Sequence, residues 1–472
     1  MAEDHVDVLV IGAGPGGYVA ALHAAHLGRR VVLVDRRGQQ GLGGVCLHAG
    51  CVPTKALLRI AGEAGRVAGM RDAGLVAGQV RVDLDAFQKW KGELTARLAV
   101  GVRRLLTSAG VEVVTGTCRF TGPAQVVIAD GGGSRSVAFT DAVLATGSRP
   151  VAPENLPIDG TVVLDSTAAL ELREVPPSMV VVGGGSVGME LGTTFAKLGS
   201  RVTIVEREDQ LLPMFDATLV RPLQRRLGQL GVEVLTGATV VDHEHGKALV
   251  RDAKGEQAVE ATCLLAGVGR RPNTDGLGLD LAGVTTDAGG FTAPTPALLV
   301  AEHIAAVGDV TPGPFHAHKA SAQAKIAAQS LCGQNVAFTR RNVPLIVHSE
   351  PELASVGVTP TEAREPASGL RTATFPLGGS GWAVASGAAI GAAHVVVDDS
   401  NDVVVGVHLV GPHATELIGE GALAVDAGVK LEDLSRTIHA HPTLSEQLGE
   451  VAHLASGLPV HAAARPARRL RG

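Results

Sequence analysis

The sequence predicts an α/β protein of two parallel-sheet domains followed by a C-terminal α+β domain. Three observations carry this. A strand–glycine turn–helix–strand segment occurs twice, an acidic residue ends the second strand each time, and the pattern changes to alternating strands after Pro344. The chain of 472 residues is too long for one core and should divide into about three domains of roughly 150 residues. Hydrophobic residues at 45% against 19% charged mark an ordered globular protein and exclude disorder as the default.

In chain order, Asp7–Ile11 is an apolar strand run, Gly12-Ala13-Gly14-Pro15-Gly16-Gly17 a turn, Tyr18–Leu27 an Ala-rich helix, and Val31–Asp35 a second strand. The same grammar returns at Met179–Val182, Gly183-Gly184-Gly185-Ser186-Val187-Gly188, a helix through Leu198, and Val202–Glu206. Glycines at positions one, three and six of such a turn allow a tight bend, approach of a pyrophosphate to the backbone, and close helix–strand packing. The anion then faces unpaired N–H groups at the helix N-terminus, and the acid accepts from a ribose hydroxyl. Gly12, Gly14, Gly17 and Asp35 meet this pattern, and Gly183, Gly185, Gly188 and Glu206 repeat it. These are two Rossmann-like dinucleotide-binding units. Glu206 favours NAD over NADP, since a carboxylate accepts from a free 2'-hydroxyl and repels a 2'-phosphate, with Arg207 as the one opposing charge beside it.

Between the units, Ala145–Pro150 and the Pro-rich stretch ending near Ile158 read as a domain crossover, and Gly269–Asn273 as another. After Pro344, strand patterns at His394–Asp398 and Val403–Leu409 precede helical stretches beyond Ala414. The expected division is 1–150, 151–272, 273–343 and 344–472.

Cys46 and Cys51 lie within Gly43–Lys55 with four residues between them. In a regular helix their Cα atoms would stand roughly 8.6 Å apart, beyond the disulfide limit of about 7 Å. Gly43, Gly44 and Gly50 supply the freedom for closer approach, and a helix beginning around Pro53 would turn its N-terminal dipole on the thiols and favour thiolate. Buried hydrophobes or half a metal site are the alternatives. Cys118, Cys263 and Cys332 are too scattered to complete a zinc site, so no metal is expected. Thr443-Leu444-Ser445-Glu446 spells a helix capping box, leaving two readings of Glu446: a cap, or the orienter of His441 as a base.

Several of these segments, in the same order, make the chain similar to the pyridine nucleotide-disulfide oxidoreductases. They are joined by Gly269-Arg270-Arg271-Pro272-Asn273-Thr274, Ala306–Val310, His318-Lys319-Ala320 and His439-Ala440-His441-Pro442-Thr443-Leu444-Ser445-Glu446. Within that family the chain most resembles the dihydrolipoamide dehydrogenases. The resemblance implies FAD on the first turn, NAD on the second, and oxidation of protein-bound dihydrolipoamide with NAD+ as acceptor. It also makes segments 1–150 and 273–343 two parts of one domain. It implies that Cys46 is the interchange thiol and Cys51 the thiol against the flavin, that Lys55 lies near the flavin and pairs with Glu190, that Thr146, Gly147 and Gly269 belong to cofactor-binding turns, and that Asp309 contacts FAD. It assigns His441 and Glu446 to an acid–base dyad acting on the partner copy of a homodimer, with the final domain as interface. The partner it implies is a lipoyl-bearing acyltransferase of a 2-oxoacid dehydrogenase or a glycine-cleavage H-type protein. The alternatives are an NAD(P)H-dependent reductase of another disulfide, such as glutathione, and a non-catalytic flavoprotein assembly subunit. The chain departs from the family's usual wording at Pro314-Phe315-His316-Ala317, where a more apolar lead-in is common, and in the Gly- and Ala-rich stretch 378–393.

Net charge −6 gives no reason to expect nucleic acid or an anionic membrane. The uncharged run Val8–Gly28 reaches a membrane span's length but is interrupted by glycines and Pro15. The acidic N-terminus and five irregularly spaced cysteines point to the cytoplasm. Arg465, Arg468, Arg469 and Arg471 read as a solvated end.

Overall fold

The computed structural model describes residues 4–69, 78, 80–339 and 342–462, so the arginine cluster at 465–471 lies outside the described residues. The chain forms two compact units, one from the described residues of 1–175 and 268–339, the other from those of 176–267 and 340–472.

In the first unit a sheet runs in the order Leu299–Ala301, Ile304–Ala306, Ser134–Leu144, Asp4–Ile11, Val31–Asp35, Glu112–Thr115. Asp4–Ile11 is parallel to both its neighbours. Its period-two alternation is visible in the packing. Leu9 and Ile11 join Val32 and Val34 in one apolar cluster, while Val8 and Val10 join Val31 and Leu33 in the cluster on the opposite face. Both faces are covered, which is why the strand reads as a continuous apolar run rather than an alternating one. Each such side chain contributes about 1.5–3 kcal/mol on burial. Helices Pro15–His26 and Ala317–Leu331 cover one face, their alanines buried in the same cluster. A pair of short strands, Ser148–Pro150 and Arg270–Pro272, joins the two crossover segments.

In the second unit, Glu233–Thr236, Arg201–Glu206, Ser178–Val182 and Cys263–Ala266 form a parallel sheet, with helix Ser186–Lys197 following its central strand. The C-terminal part is an antiparallel sheet in the order Leu345–Val347, Glu352–Gly357, Val403–Gly411, Ala392–Asp398, Leu370–Pro376. Helices Ala414–Ala427 and Glu446–Ala455 bury their apolar stripes in its core, through Ile418, Ala424, Leu448 and Val451. The α/β class with a C-terminal α+β part is as expected from the sequence. Among the described residues no helix is long and apolar enough to cross a membrane.

Candidate active site: two glycine turns, a dithiol and a histidine–glutamate pair

The first turn is shaped by what glycine alone allows. Gly12 takes φ +101°, and a Cβ there would strike the Ala145 carbonyl. A Cβ on Gly17 would collide with the carbonyl of Gly12, whereas one on Gly14 would meet nothing within 4 Å. Gly14 caps helix Pro15–His26 with no side-chain bond and no acid in the first turn, so the helix presents unpaired N–H groups to open space. Asp35 closes the turn: Oδ2 accepts from Ala13 N at 3.0 Å and Oδ1 from Arg37 N at 2.9 Å. Its remaining lone pairs are free to accept from ribose hydroxyls. These features fit a dinucleotide.

The second turn repeats them. Gly183 has φ +104°, a Cβ on Gly188 would collide with the Gly183 carbonyl, and Gly185 caps helix Ser186–Lys197 without a side-chain bond. Glu206 Oε2 accepts from Gly184 N at 2.6 Å and Oε1 from Glu208 N at 2.8 Å, with Glu206 only 8% exposed. Arg207 turns outward to Glu208 instead. Glu190, on the same helix, accepts from His348 N at 2.9 Å.

Cys46 lies in a short helix, Gly44–His48, and Cys51 begins the next, Cys51–Gly69. The break at Ala49 and Gly50 removes the undistorted-helix geometry that would hold the sulfurs apart. The second helix starts two residues before the expected Pro53, because a proline in a first turn gives up an N–H that has no intrahelical partner anyway; the first i to i−4 bond is Thr54 N to Gly50 O, 2.9 Å. Both cysteines are thiols. The Cys46 thiol is pushed well above its ordinary range by its hydrogen bond to Cys51, then by burial and by the charge of Cys51, while Lys55 pulls the other way. Gly44, at φ +61°, brings this segment against the first turn: a Cβ there would stand 2.6 Å from the Gly14 Cα.

The crossovers converge on the same unit. Thr146 Oγ1 donates to Asn273 O at 2.7 Å, Asn273 Nδ2 returns a bond to Thr146 O at 3.0 Å, and Asn273 N donates to Gly147 O at 2.9 Å. Gly269 has φ +123° and accepts from Val151 N at 3.1 Å. Asp309 Oδ2 accepts from Ser148 Oγ at 2.6 Å, and Ser148 Oγ in turn accepts from Arg270 Nε at 2.7 Å. Sequence reasoning missed Arg270 as a site residue, although it stands in a quoted motif. Burial lowers its pKa, opposed by Asp309, Asp165 and Cys51, so a guanidinium is fixed in the field of the dithiol. Lys319, 2% exposed, donates to Thr311 O and Pro312 O, and burial lowers it to about 8. His316 is held neutral, at about 4, by burial, then by His318, Lys55 and Lys319.

In the second unit, His441 Nδ1 lies 2.8 Å from Glu446 Oε1, and Glu446 Oε2 accepts from Thr443 N at 2.8 Å. Glu446 thus gives one oxygen to the ring and one to the Thr443 backbone, but the capping box is not formed: the helix starts at Glu446, its N-cap Ser445 makes no side-chain bond, and Thr443 Oγ1 donates to Ala440 O instead. Burial would raise this carboxyl, but the bonds from His441 and Thr443 outweigh it and hold it below the usual carboxylate range. With Nδ1 engaged, Nε2 of the 80% exposed His441 side chain is left to exchange protons with a substrate. Among the described residues no cluster of ligands suits a metal ion.

A model of the pyridine nucleotide-disulphide oxidoreductase family matches residues 6–324, and a model of that family's dimerisation domain matches 343–452. The chain is 39% identical over 460 residues to the dihydrolipoyl dehydrogenase of Geobacillus stearothermophilus, covering 96% of this chain and 97% of that one. It is 39% identical over 464 residues to the dihydrolipoyl dehydrogenase of Halobacterium salinarum, with the same shares covered. Among solved structures, LpdA of Mycobacterium tuberculosis aligns with a TM-score of 0.87 at 29% identity, covering 95% of this chain and 99% of that one. The HOCl-induced flavoprotein disulfide reductase RclA of Escherichia coli gives 0.83 at 28%, with the same coverage. Two matched models spanning nearly the whole chain, over a fold with two dinucleotide turns and a dithiol, mean that the chain belongs to the pyridine nucleotide-disulphide oxidoreductase family and carries its dimerisation domain.

Proposed function

We propose that this chain is a dihydrolipoyl dehydrogenase, oxidising protein-bound dihydrolipoamide to lipoamide and reducing NAD+ to NADH. Its cofactors are FAD, on the Gly12–Gly17 turn, and NAD, on the Gly183–Gly188 turn. The observation that carries the reading is the Cys46–Cys51 pair seated against the first turn through Gly44, in a chain with near full-length dihydrolipoyl dehydrogenase relatives.

The residue roles follow from thiol chemistry. A substrate thiol is nucleophilic only as thiolate, so a base must take its proton. His441 takes it at Nε2, and Glu446 orients the ring and stabilises the imidazolium. The substrate thiolate attacks Cys46 Sγ of the oxidised pair; a substrate–Cys46 disulfide forms and Cys51 leaves as thiolate. The second substrate thiol gives up its proton and attacks its neighbouring sulfur, closing the cyclic disulfide and releasing Cys46, which is reprotonated. Lys55 and Arg270 bias the dithiol region toward holding negative charge. Bound flavin supplies the two-electron acceptor between thiols and nicotinamide. Glu206 selects NAD+ through the adenosine ribose.

The enzyme works as a homodimer, with His441 serving the disulfide of the other copy. Its lipoyl-bearing partner is the acyltransferase of a 2-oxoacid dehydrogenase or a glycine-cleavage H-type protein, and its setting is the cytoplasm. Purified protein given dihydrolipoamide should form NADH with NAD+ and little NADPH with NADP+. Cys46→Ser should lose this turnover and keep its flavin. Oxidation of NADPH by glutathione disulfide with no reaction toward dihydrolipoamide would overturn the assignment.

A further inference from the structure

The base-bearing loop, residues 437–445, joins helices Leu431–Arg436 and Glu446–Ala455. Beyond His441 it is well tied. Thr443 N donates to Glu446, Thr443 Oγ1 donates to Ala440 O at 2.7 Å, and Leu444 is buried with Leu377 and Ala383. Before His441 the situation differs. Of the described residues 437–442, His439 alone is sheltered, its side chain 8% exposed while Ile438 is 96% exposed. His439 Nε2 lies 3.0 Å from Glu420 Oε1, on helix Ala414–Ala427. The other edge of the ring fits where helix Glu446–Ala455 has Gly449: a Cβ there would stand 3.0 Å from His439 Nδ1. The ring is thus set between two helices, clamped by a carboxylate on one and admitted by a glycine on the other.

We propose that His439 and Glu420 form a second histidine–carboxylate pair whose role is to position His441, so that the orientation of the base depends on Glu420 as well as on Glu446. This rests on the dithiol-oxidising reading above. The two rings are tied through opposite nitrogens. Glu420 accepts from Nε2–H of His439, and Glu446 from Nδ1–H of His441, which leaves Nε2 of His441 as the nitrogen that works. Only Ala440 separates them, and it is exposed, so two planar peptide groups carry any displacement of His439 to His441 with no buried side chain between to absorb it. Glu420 and His439 are positioning residues; neither is placed on the substrate. A misplacement of about 1 Å at a reacting group costs on the order of a hundredfold in rate, so this anchor has leverage out of proportion to one hydrogen bond.

The test is a cycle in the full-length flavin-loaded protein, with Glu420→Ala made in the wild type and in His441→Gln. The expected result is a fall of roughly ten- to a hundredfold in kcat for dihydrolipoamide oxidation. KM for NAD+, flavin content, thermal midpoint and the NADH–ferricyanide reaction, which needs no thiol base, should stay unchanged. Glu420→Gln should restore turnover, since an amide oxygen still accepts from Nε2–H. In the His441→Gln background, Glu420→Ala should add nothing, because its effect passes through the ring already lost. Equal losses in both backgrounds, or parallel losses in midpoint and NADH–ferricyanide rate, would show mere packing and overturn the proposal, as would wild-type turnover in Glu420→Ala. Full turnover in His441→Gln alone sinks the functional reading itself, and is scored before any Glu420 variant is compared.

Discussion

The two glycine turns are near copies in backbone and differ in what surrounds them. Gly12 and Gly183 share a φ near +100°, Gly14 and Gly185 leave their helix caps open, and each turn is closed by a carboxylate accepting from the residue after the first glycine. The first turn, however, has Gly44 of the dithiol segment packed against its Gly14. The capping glycines themselves are alike, since a Cβ on Gly14 would meet nothing within 4 Å and one on Gly185 only Gly267 O, at 3.9 Å. The same pyrophosphate cradle is built twice, once with the dithiol segment held against it and once without. A cradle tied to the thiols suits a resident flavin, and one without them a nicotinamide cofactor that arrives and leaves each turnover.

The largest effect expected from this contrast comes from placing a methyl in each turn. Gly17→Ala should destabilise the first unit by about 1–3 kcal/mol through overpacking and give a colourless protein, read as flavin absorbance per chain after gel filtration. Gly188→Ala carries the same clash in the other unit. It should stay yellow and keep its thiol chemistry while NAD-linked turnover falls more than tenfold, a loss of about 1.4 kcal/mol. If both variants lose flavin, the two cradles are not functionally distinct.

Acid should separate the units next. His394 and His408 face each other across two antiparallel strands of the second unit, and burial holds both near 4 against 6.5 for an unfolded ring. His408 is fully committed, to Ser355 Oγ at 2.6 Å and Val358 O at 2.8 Å, while the buried Nε2 of His394 has no partner among the described residues. Because the folded rings resist protonation, their stability contribution is complete above pH 6.5. It is lost as pH falls from 6.5 toward 4 and the unfolded chain binds protons first. The loss is on the order of 3 kcal/mol per ring at most. Among the described residues of the first unit, burial holds His316 near 4 and also lowers His23, though less far. Hydrogen exchange at pH 5 should open the second unit first, and His394→Phe should lessen the difference; equal opening would contradict it.

The smallest effect concerns the two acids. Glu206→Gln removes the charge that opposes a 2'-phosphate and keeps one acceptor oxygen, so that one of the bonds from Gly184 N and Glu208 N is lost with it. It should narrow the preference for NAD+ over NADP+ by roughly tenfold, read as a ratio of kcat/KM values. Asp35→Asn should leave that ratio unmoved, since the first turn does not see the nicotinamide cofactor.

Much of this was legible in the sequence because glycine, a short apolar run and a terminal acid are each required locally. Gly17, Asp35 and their counterparts make the contacts that require them within about two dozen residues of chain, whereas Gly12 is also held bare by the distant Ala145 carbonyl. The packing of the dithiol segment against the first turn was less legible: Gly44 reads as chain freedom for the cysteines, and its approach to Gly14 is a tertiary fact. Glu420 was illegible as His439's partner because it sits on another helix, nineteen residues away, and no spacing rule joins a loop histidine to a surface glutamate. The burial of Glu206 likewise follows from the sheet's surroundings and not from the motif.

The close approach of Gly44 to Gly14 has an engineering consequence. The stretch that carries the sulfurs is not a portable cassette, because its seat is a bare Cα on a turn more than two dozen residues upstream. Grafting Gly43–Lys55 onto another dinucleotide fold would need the host turn to pass as close to Gly44 as Gly14 does, with Gly44 itself kept bare, since a Cβ on Gly44 would stand 2.6 Å from the Gly14 Cα whereas one on Gly14 would meet nothing within 4 Å. New redox chemistry on this scaffold is therefore better sought by exchanging what approaches the thiols than by moving the thiols themselves.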